Sequence, residues 1–100
     1  MFIGPCRNLI KTDNGITAVD KCIAKIREEH EEVEMAWDTF NRHASAKNLQ
    51  QLGEELADSI TASMTALYAL EEKIPGAPEG FVRDCLRLVA AKNHARGYWK

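Results

Sequence analysis

Apolar positions repeat with a helical period along most of the chain. Val19, Ile23, Ile26, His30, Val33, Trp37 and Phe40 follow one another at alternating steps of four and three. That spacing predicts a first helix from Thr17, as N-cap, to about Arg42, with one continuous seam for another helix to cover. Ser45 is suited to cap a second helix over Ala46 to Lys73, whose main apolar face is Leu49, Leu52, Leu56, Ile60, Leu67, Leu70 and Ile74. Residues 59–70 of that helix carry no ionisable group except Tyr68, and its back face presents Thr61, Ala62, Thr65 and Ala69. A helix of this kind is covered on more than one side, which a short chain can hardly do alone; a second subunit is the economical reading. Pro75-Gly76-Ala77-Pro78 is the strong internal break. A third helix is expected from Pro78 or Glu79, with Phe81, Val82, Cys85, Leu88 and Val89 as its stripe and Gly97 just past its end. Nothing alternates with period two, so no sheet is expected. The expected fold is all-α: an antiparallel helical bundle of one domain over residues 1–100, with an N-terminal arm at 1–16, a helical core at 17–98, and completion by oligomerisation.

Composition narrows the function. The chain has 100 residues, 45% hydrophobic and 28% charged, with 13 Lys+Arg against 15 Asp+Glu. This balance gives no electrostatic case for nucleic acid or an anionic membrane. No stretch has the length and apolarity of a membrane span, and the first residues lack the order of a signal peptide. Cys6, Cys22 and Cys85 are odd in number and without CxxC spacing, which points to a reducing, cytoplasmic setting and away from disulfides or thiolate metal sites.

The chemistry lies in the acids. Glu28-Glu29-His30-Glu31-Glu32 on the first helix and Glu54-Glu55-Leu56-Ala57-Asp58 on the second contain two spaced pairs, Glu29-x-x-Glu32 and Glu55-x-x-Asp58. Residues three apart differ by about 60° around a helix, so both carboxylates of a pair reach one point beside it. Acid runs on helices usually line solvated faces. Here Glu29 sits on the flank of the apolar seam, between Cys22 and Ala36, and Glu55 and Asp58 share one flank of the second helix. If the helices pack antiparallel, four carboxylates converge on one partly dry cleft, where mutual repulsion calls for a hard cation such as Mg²⁺ or Mn²⁺.

These residues resemble the signatures of MazG-like nucleoside triphosphate pyrophosphohydrolases. Glu28-Glu29-His30-Glu31-Glu32 is similar to the family's EExxE motif, and Glu54-Glu55-Leu56-Ala57-Asp58 to its second motif, with Ala57 where glycine is common. Lys92-Asn93-His94-Ala95-Arg96-Gly97-Tyr98 resembles the Lys…Arg-Gly-Tyr ending of small, phage-type members. The resemblance covers roughly residues 17–98. It implies an oligomeric all-α enzyme, a dimer or tetramer, that uses Mg²⁺ to hydrolyse a nucleoside triphosphate, a dNTP or non-standard nucleotide included, to the monophosphate and pyrophosphate. It also implies metal ligation by Glu29, Glu32, Glu55 and Asp58, with Glu28 as the extra acid. Lys92, Asn93 and Arg96 would face phosphate. Residues 1–16 depart from members that carry an additional N-terminal helix there.

The remaining residues have plainer readings. His30, Trp37, Phe40, Cys22 and Cys85 are expected to pack in the core. No Glu-x-x-His occurs, which disfavours a di-iron bundle, and Ser59 and Ser63 have no base at helical spacing. Tyr98 and Trp99 suit either a base or a partner subunit. The competing function is a non-catalytic helical dimerisation or nucleotide-binding module.

Overall fold

A computed structural model describes residues 14–97 as three helices, α1 (Gly15–Arg42), α2 (Ala46–Lys73) and α3 (Phe81–Ala95). No strand occurs among the described residues. Most of the proposed N-terminal arm, together with Cys6, Tyr98 and Trp99, lies outside them.

Helix α1 starts at Gly15 rather than at Thr17. Asn14 is its extended N-cap, and the Asn14 carbonyl accepts from the Ala18 N–H at 2.9 Å, so Thr17 already lies within the first turn. Ser45 caps α2 as its position suggests: its Oγ accepts from the Asn48 N–H at 3.1 Å. The start of α3 falls later than Pro78 or Glu79. Gly80 takes a left-handed φ of 78°, which interrupts any helix begun at the proline, and Phe81 is the first helical residue. The Val82 N–H, orphaned at that helix start, donates to Glu71 Oε1 at 3.0 Å and ties α3 to the end of α2. At the far end Gly97 has φ 75°, as a residue just beyond a helix does.

The three-residue link His43-Ala44-Ser45 folds α1 and α2 into an antiparallel hairpin. Its contact is made of small side chains. Ala18 and Cys22 meet Ala66 and Ala69, with Val19 and Ile26 against them; Ala36, Ala62 and Thr65 are buried as well. Small residues let the helix axes approach closely. Buried Thr65 Oγ1 donates to the Thr61 carbonyl at 2.8 Å, so its hydroxyl costs little inside.

The packed faces are not the ones the large apolar residues mark. On α1 the buried line Ala18–Cys22–Glu29–Ala36 is turned by roughly 75° from the predicted seam, and on α2 the buried face is turned by more than about 100° from the Leu49–Ile74 stripe. His30 and Trp37 are therefore exposed, not packed, with Trp37 53% accessible; its ring lies 6.2 Å from that of half-buried Phe40. Leu49, Leu56 and Ile60 are exposed on α2. Because the helices are antiparallel, a displacement of the same sense about each axis carries both large-residue faces to the same side of the hairpin. Ile23, Trp37, Leu49, Leu56 and Ile60 thus form one apolar side of a two-helix layer.

Helix α3 buries only Val82, leaves Leu86, Leu88 and Val89 exposed, and approaches α2 sparsely. Cys22 is a core residue as expected, whereas Cys85 is half-buried. Among the described residues no helix is long and apolar enough to cross a membrane.

Candidate metal centre

Packing turns Glu29 from a flank residue into a centre-line residue of α1. It is 5% exposed, placed between Cys22 and Ala36 on the face that meets α2. Its Oε1 pairs with Lys25 Nζ at 3.0 Å, and its Oε2 is buried with no hydrogen-bond partner. Lys25 also reaches Glu28 at 3.3 Å. The hydrogen bond that Lys25 donates to Glu29 raises the lysine pKa; desolvation opposes that, and Glu28 adds to it.

Helix α2 brings Glu55 and Asp58 to the same place. Glu55 Oε1 accepts from Gln51 Nε2 at 2.7 Å, while its Oε2 is also buried without a partner. Carboxylate oxygens of Glu29, Glu55 and Asp58 lie within 4.8 Å of one another, and so do those of Glu28, Glu29 and Glu32. Glu29 belongs to both trios and joins the two helices' acids into one centre. Glu32 is held above the usual carboxylate range, first by sharing a hydrogen bond with Glu55, then by the Glu29 charge, partial burial, and the charges of Glu55 and Glu28.

The donor set is all oxygen, the choice of hard divalent cations. Two buried oxygens without donors are what a metal site looks like before its ion is counted, so the acidic residues fit a metal ion. The five acids assigned to the site from the sequence, Glu28, Glu29, Glu32, Glu55 and Asp58, are at this centre.

Lys92, Asn93 and Arg96 are not brought there. No hydrogen bond or ion pair joins them to these carboxylates among the described residues, and α3 is anchored at Glu71. Between Asp58 and Glu71 the α2 axis rises about 20 Å at roughly 1.5 Å per residue.

Toward the α1–α2 link, the centre opens into a cavity of about 240 Å³ lined by Glu32, Met35, Ala36, Thr39, Asn48, Gln51 and Glu55. The Asn48 amide nitrogen donates to the His43 carbonyl at 2.8 Å, and that of Gln51 is held by Glu55; each fixes its amide's orientation at the cavity. Sequence reasoning missed Lys25, Asn48 and Gln51. The signal was present: Lys25 precedes Glu29 by one turn, and Asn48 and Gln51 precede Glu55 at helical intervals on the same face.

No protein-family model matches the chain, and comparisons with curated proteins and with solved structures return no match.

Proposed function

We propose that this chain is a Mg²⁺-dependent nucleoside triphosphate pyrophosphohydrolase, with Mn²⁺ as a competent substitute. The observation that carries the reading is Glu29: a buried carboxylate with an unpartnered oxygen, common to two carboxylate trios on facing helices. The likeness of the two acidic motifs and the Lys…Arg-Gly-Tyr ending to the MazG-like family supports the same conclusion. A triphosphate is repelled by so many acids, so cations must stand between them. A divalent ion in the centre would polarise phosphoryl oxygens and lower the charge on the departing pyrophosphate.

The protein's own groups have distinct tasks. Glu29, Glu32, Glu55 and Asp58 hold the ion, and Glu28 adds negative charge on the α1 side. The reaction consumes one water: its oxygen joins phosphorus, the bond between the α and β phosphates breaks, and a proton leaves the water. Glu32, whose hold on a proton is strengthened by neighbouring Glu55 and Glu29, is suited to accept that proton. The adjoining cavity suits the nucleoside, with Met35 as a soft apolar wall and the Asn48 and Gln51 amides toward a polar ring edge. The family likeness assigns phosphate contacts to Lys92, Asn93 and Arg96, which α3 does not bring to the centre within one chain. The working form is a homodimer or homotetramer in the cytoplasm.

The test is release of pyrophosphate from a panel of NTPs and dNTPs with and without Mg²⁺. Turnover is expected only with the metal, and Glu29→Gln and Asp58→Asn should abolish it while far-ultraviolet circular dichroism stays helical. Full activity in both variants would refute the centre. The apolar side of the hairpin supports a second reading, a helical assembly module that binds nucleotide without cleaving it. That reading predicts nucleotide binding and no pyrophosphate.

A further inference from the structure

We propose that Lys25 is the resident counter-ion of the metal-free centre and that a divalent cation takes Glu29 from it, so that this one lysine sets how tightly the centre holds metal. The proposal rests on the reading of the acids as a metal centre and adds what governs its occupancy.

Glu29 is the reason the position matters. It is 5% exposed, it belongs to both carboxylate trios, and its Oε2 is buried without a hydrogen-bond partner. A carboxylate so placed is costly to keep charged unless a cation stands close. Lys25 supplies one. It precedes Glu29 by four residues and Glu28 by three, both intervals that put side chains on one helix face. Its Nζ lies 3.0 Å from Glu29 Oε1 and 3.3 Å from Glu28 Oε1, so one ammonium straddles the two acids.

The same geometry makes Lys25 a competitor. A cation ligated by Glu29 Oε1 shares that oxygen with an ammonium already on it, and Glu29 is the member that both trios need. Like charges that close repel. The donor on Glu55 is different in kind: the Gln51 amide is neutral and opposes an incoming cation far less.

Lys25 is also placed to yield. Its side chain is 38% exposed, and the flexible four-carbon stem of a lysine lets the head move into water while the stem stays on the helix. It stands at the end of the centre away from the cavity, whose α1 lining runs from Glu32 to Thr39, so its withdrawal leaves the space given to the nucleoside untouched. The arrangement has two effects. Without the ion, the lysine offsets part of the repulsion among the acids and keeps them gathered. A cation must also bring more than the single charge of the ammonium it replaces, which favours divalent over monovalent ions.

The experiment measures Mg²⁺ binding by calorimetry in the wild type, Lys25→Met and Lys25→Arg, without nucleotide. Methionine keeps the length of the stem and removes the charge, whereas arginine keeps the charge. Lys25→Met should bind Mg²⁺ about fivefold more tightly, the upper end for a partly exposed ion pair, and Lys25→Arg no more tightly than the wild type. The metal-free Lys25→Met protein should melt below the wild type and gain more from added Mg²⁺. A second measurement needs no substitution. Acylation of Lys25 in the wild type by limiting acetic anhydride, mapped by mass spectrometry, should rise when Mg²⁺ is added, because the freed amine is no longer held by Glu29. Equal or weaker Mg²⁺ binding in a helical Lys25→Met variant, or acylation unchanged by saturating Mg²⁺, would overturn the role of Lys25 and leave the centre standing. A wild type that binds no Mg²⁺ overturns the metal centre itself, and this proposal with it.

Discussion

A carboxylate oxygen buried without a donor is costly unless a positive charge shares its space. Glu29 Oε2 and Glu55 Oε2 are both in that position, with Lys25 attending only the other oxygen of Glu29. Replacing Glu29 with glutamine removes a repelled charge and adds a donor. The metal-free variant should therefore melt no lower than the wild type, while the rise in melting temperature on adding Mg²⁺ disappears. At about 100 times its Kd, an ion that binds only the folded state contributes about 2.7 kcal/mol. In a domain of this size that is on the order of 10 °C by calorimetry. Protons compete for the same oxygens. Because Glu32 has a folded-state pKa raised above its ordinary 4.5, the folded protein holds its proton more tightly than the unfolded chain. Metal-free stability should then fall as pH rises from about that ordinary value through the raised one, and Glu32→Gln should flatten the decline. Urea midpoints across acidic pH, in chelator, measure it; an unchanged slope in the variant would remove Glu32 as its source.

At the scale of the helices, the hairpin is held through alanines. Ala69 is fully buried against α1, so Ala69→Leu should overpack the contact at about 1–3 kcal/mol. Ser45→Ala should cost about 1 kcal/mol by freeing the Asn48 N–H. Chemical denaturation reads both. These sites also show what the chain made legible. The bounds of α2 followed from sequence because they rest on local chemistry, a serine cap before and proline after. The acidic centre was legible for a related reason: its members are spaced by helical geometry and needed only antiparallel pairing to converge. The packed faces were not. Hydrophobic periodicity marks where the large residues are, whereas Ala18, Cys22, Ala62, Ala66 and Ala69 win the contact through close approach. His30 lies on the large-residue seam and so on the surface rather than in the core, its Nε2 3.4 Å from Glu34. The failure to join Lys92, Asn93 and Arg96 to the acids has another cause: helical spacing says nothing about the angle at which α3 leaves Gly80.

For the whole molecule, the hairpin's leftover side is a structural demand. The radius of gyration is 15.9 Å, against about 13 Å for a compact domain of 100 residues. Two helices of 28 residues lying side by side present a surface roughly 42 Å by 20 Å. Its area, about 800 Å², matches what each partner of a stable protein pair commonly buries. Ile23 on α1 and Leu49, Leu56 and Ile60 on α2 share this side with Trp37, and none of the described residues covers them fully. Two copies placed side to side would make a four-helix core in which these large residues, not the alanines, supply the hydrophobic energy. The seam visible in the sequence would then be a real one, belonging to the interface between chains. Leu56→Glu together with Ile60→Glu puts charges on that side without touching the Ala66–Ala69 contact. Analytical ultracentrifugation at micromolar concentration should show an oligomer for the wild type and a monomer for the double variant. Circular dichroism should keep the variant helical, because its hairpin contact is intact. A wild type that sediments as a monomer would separate the apolar side from self-assembly and leave it to a different partner.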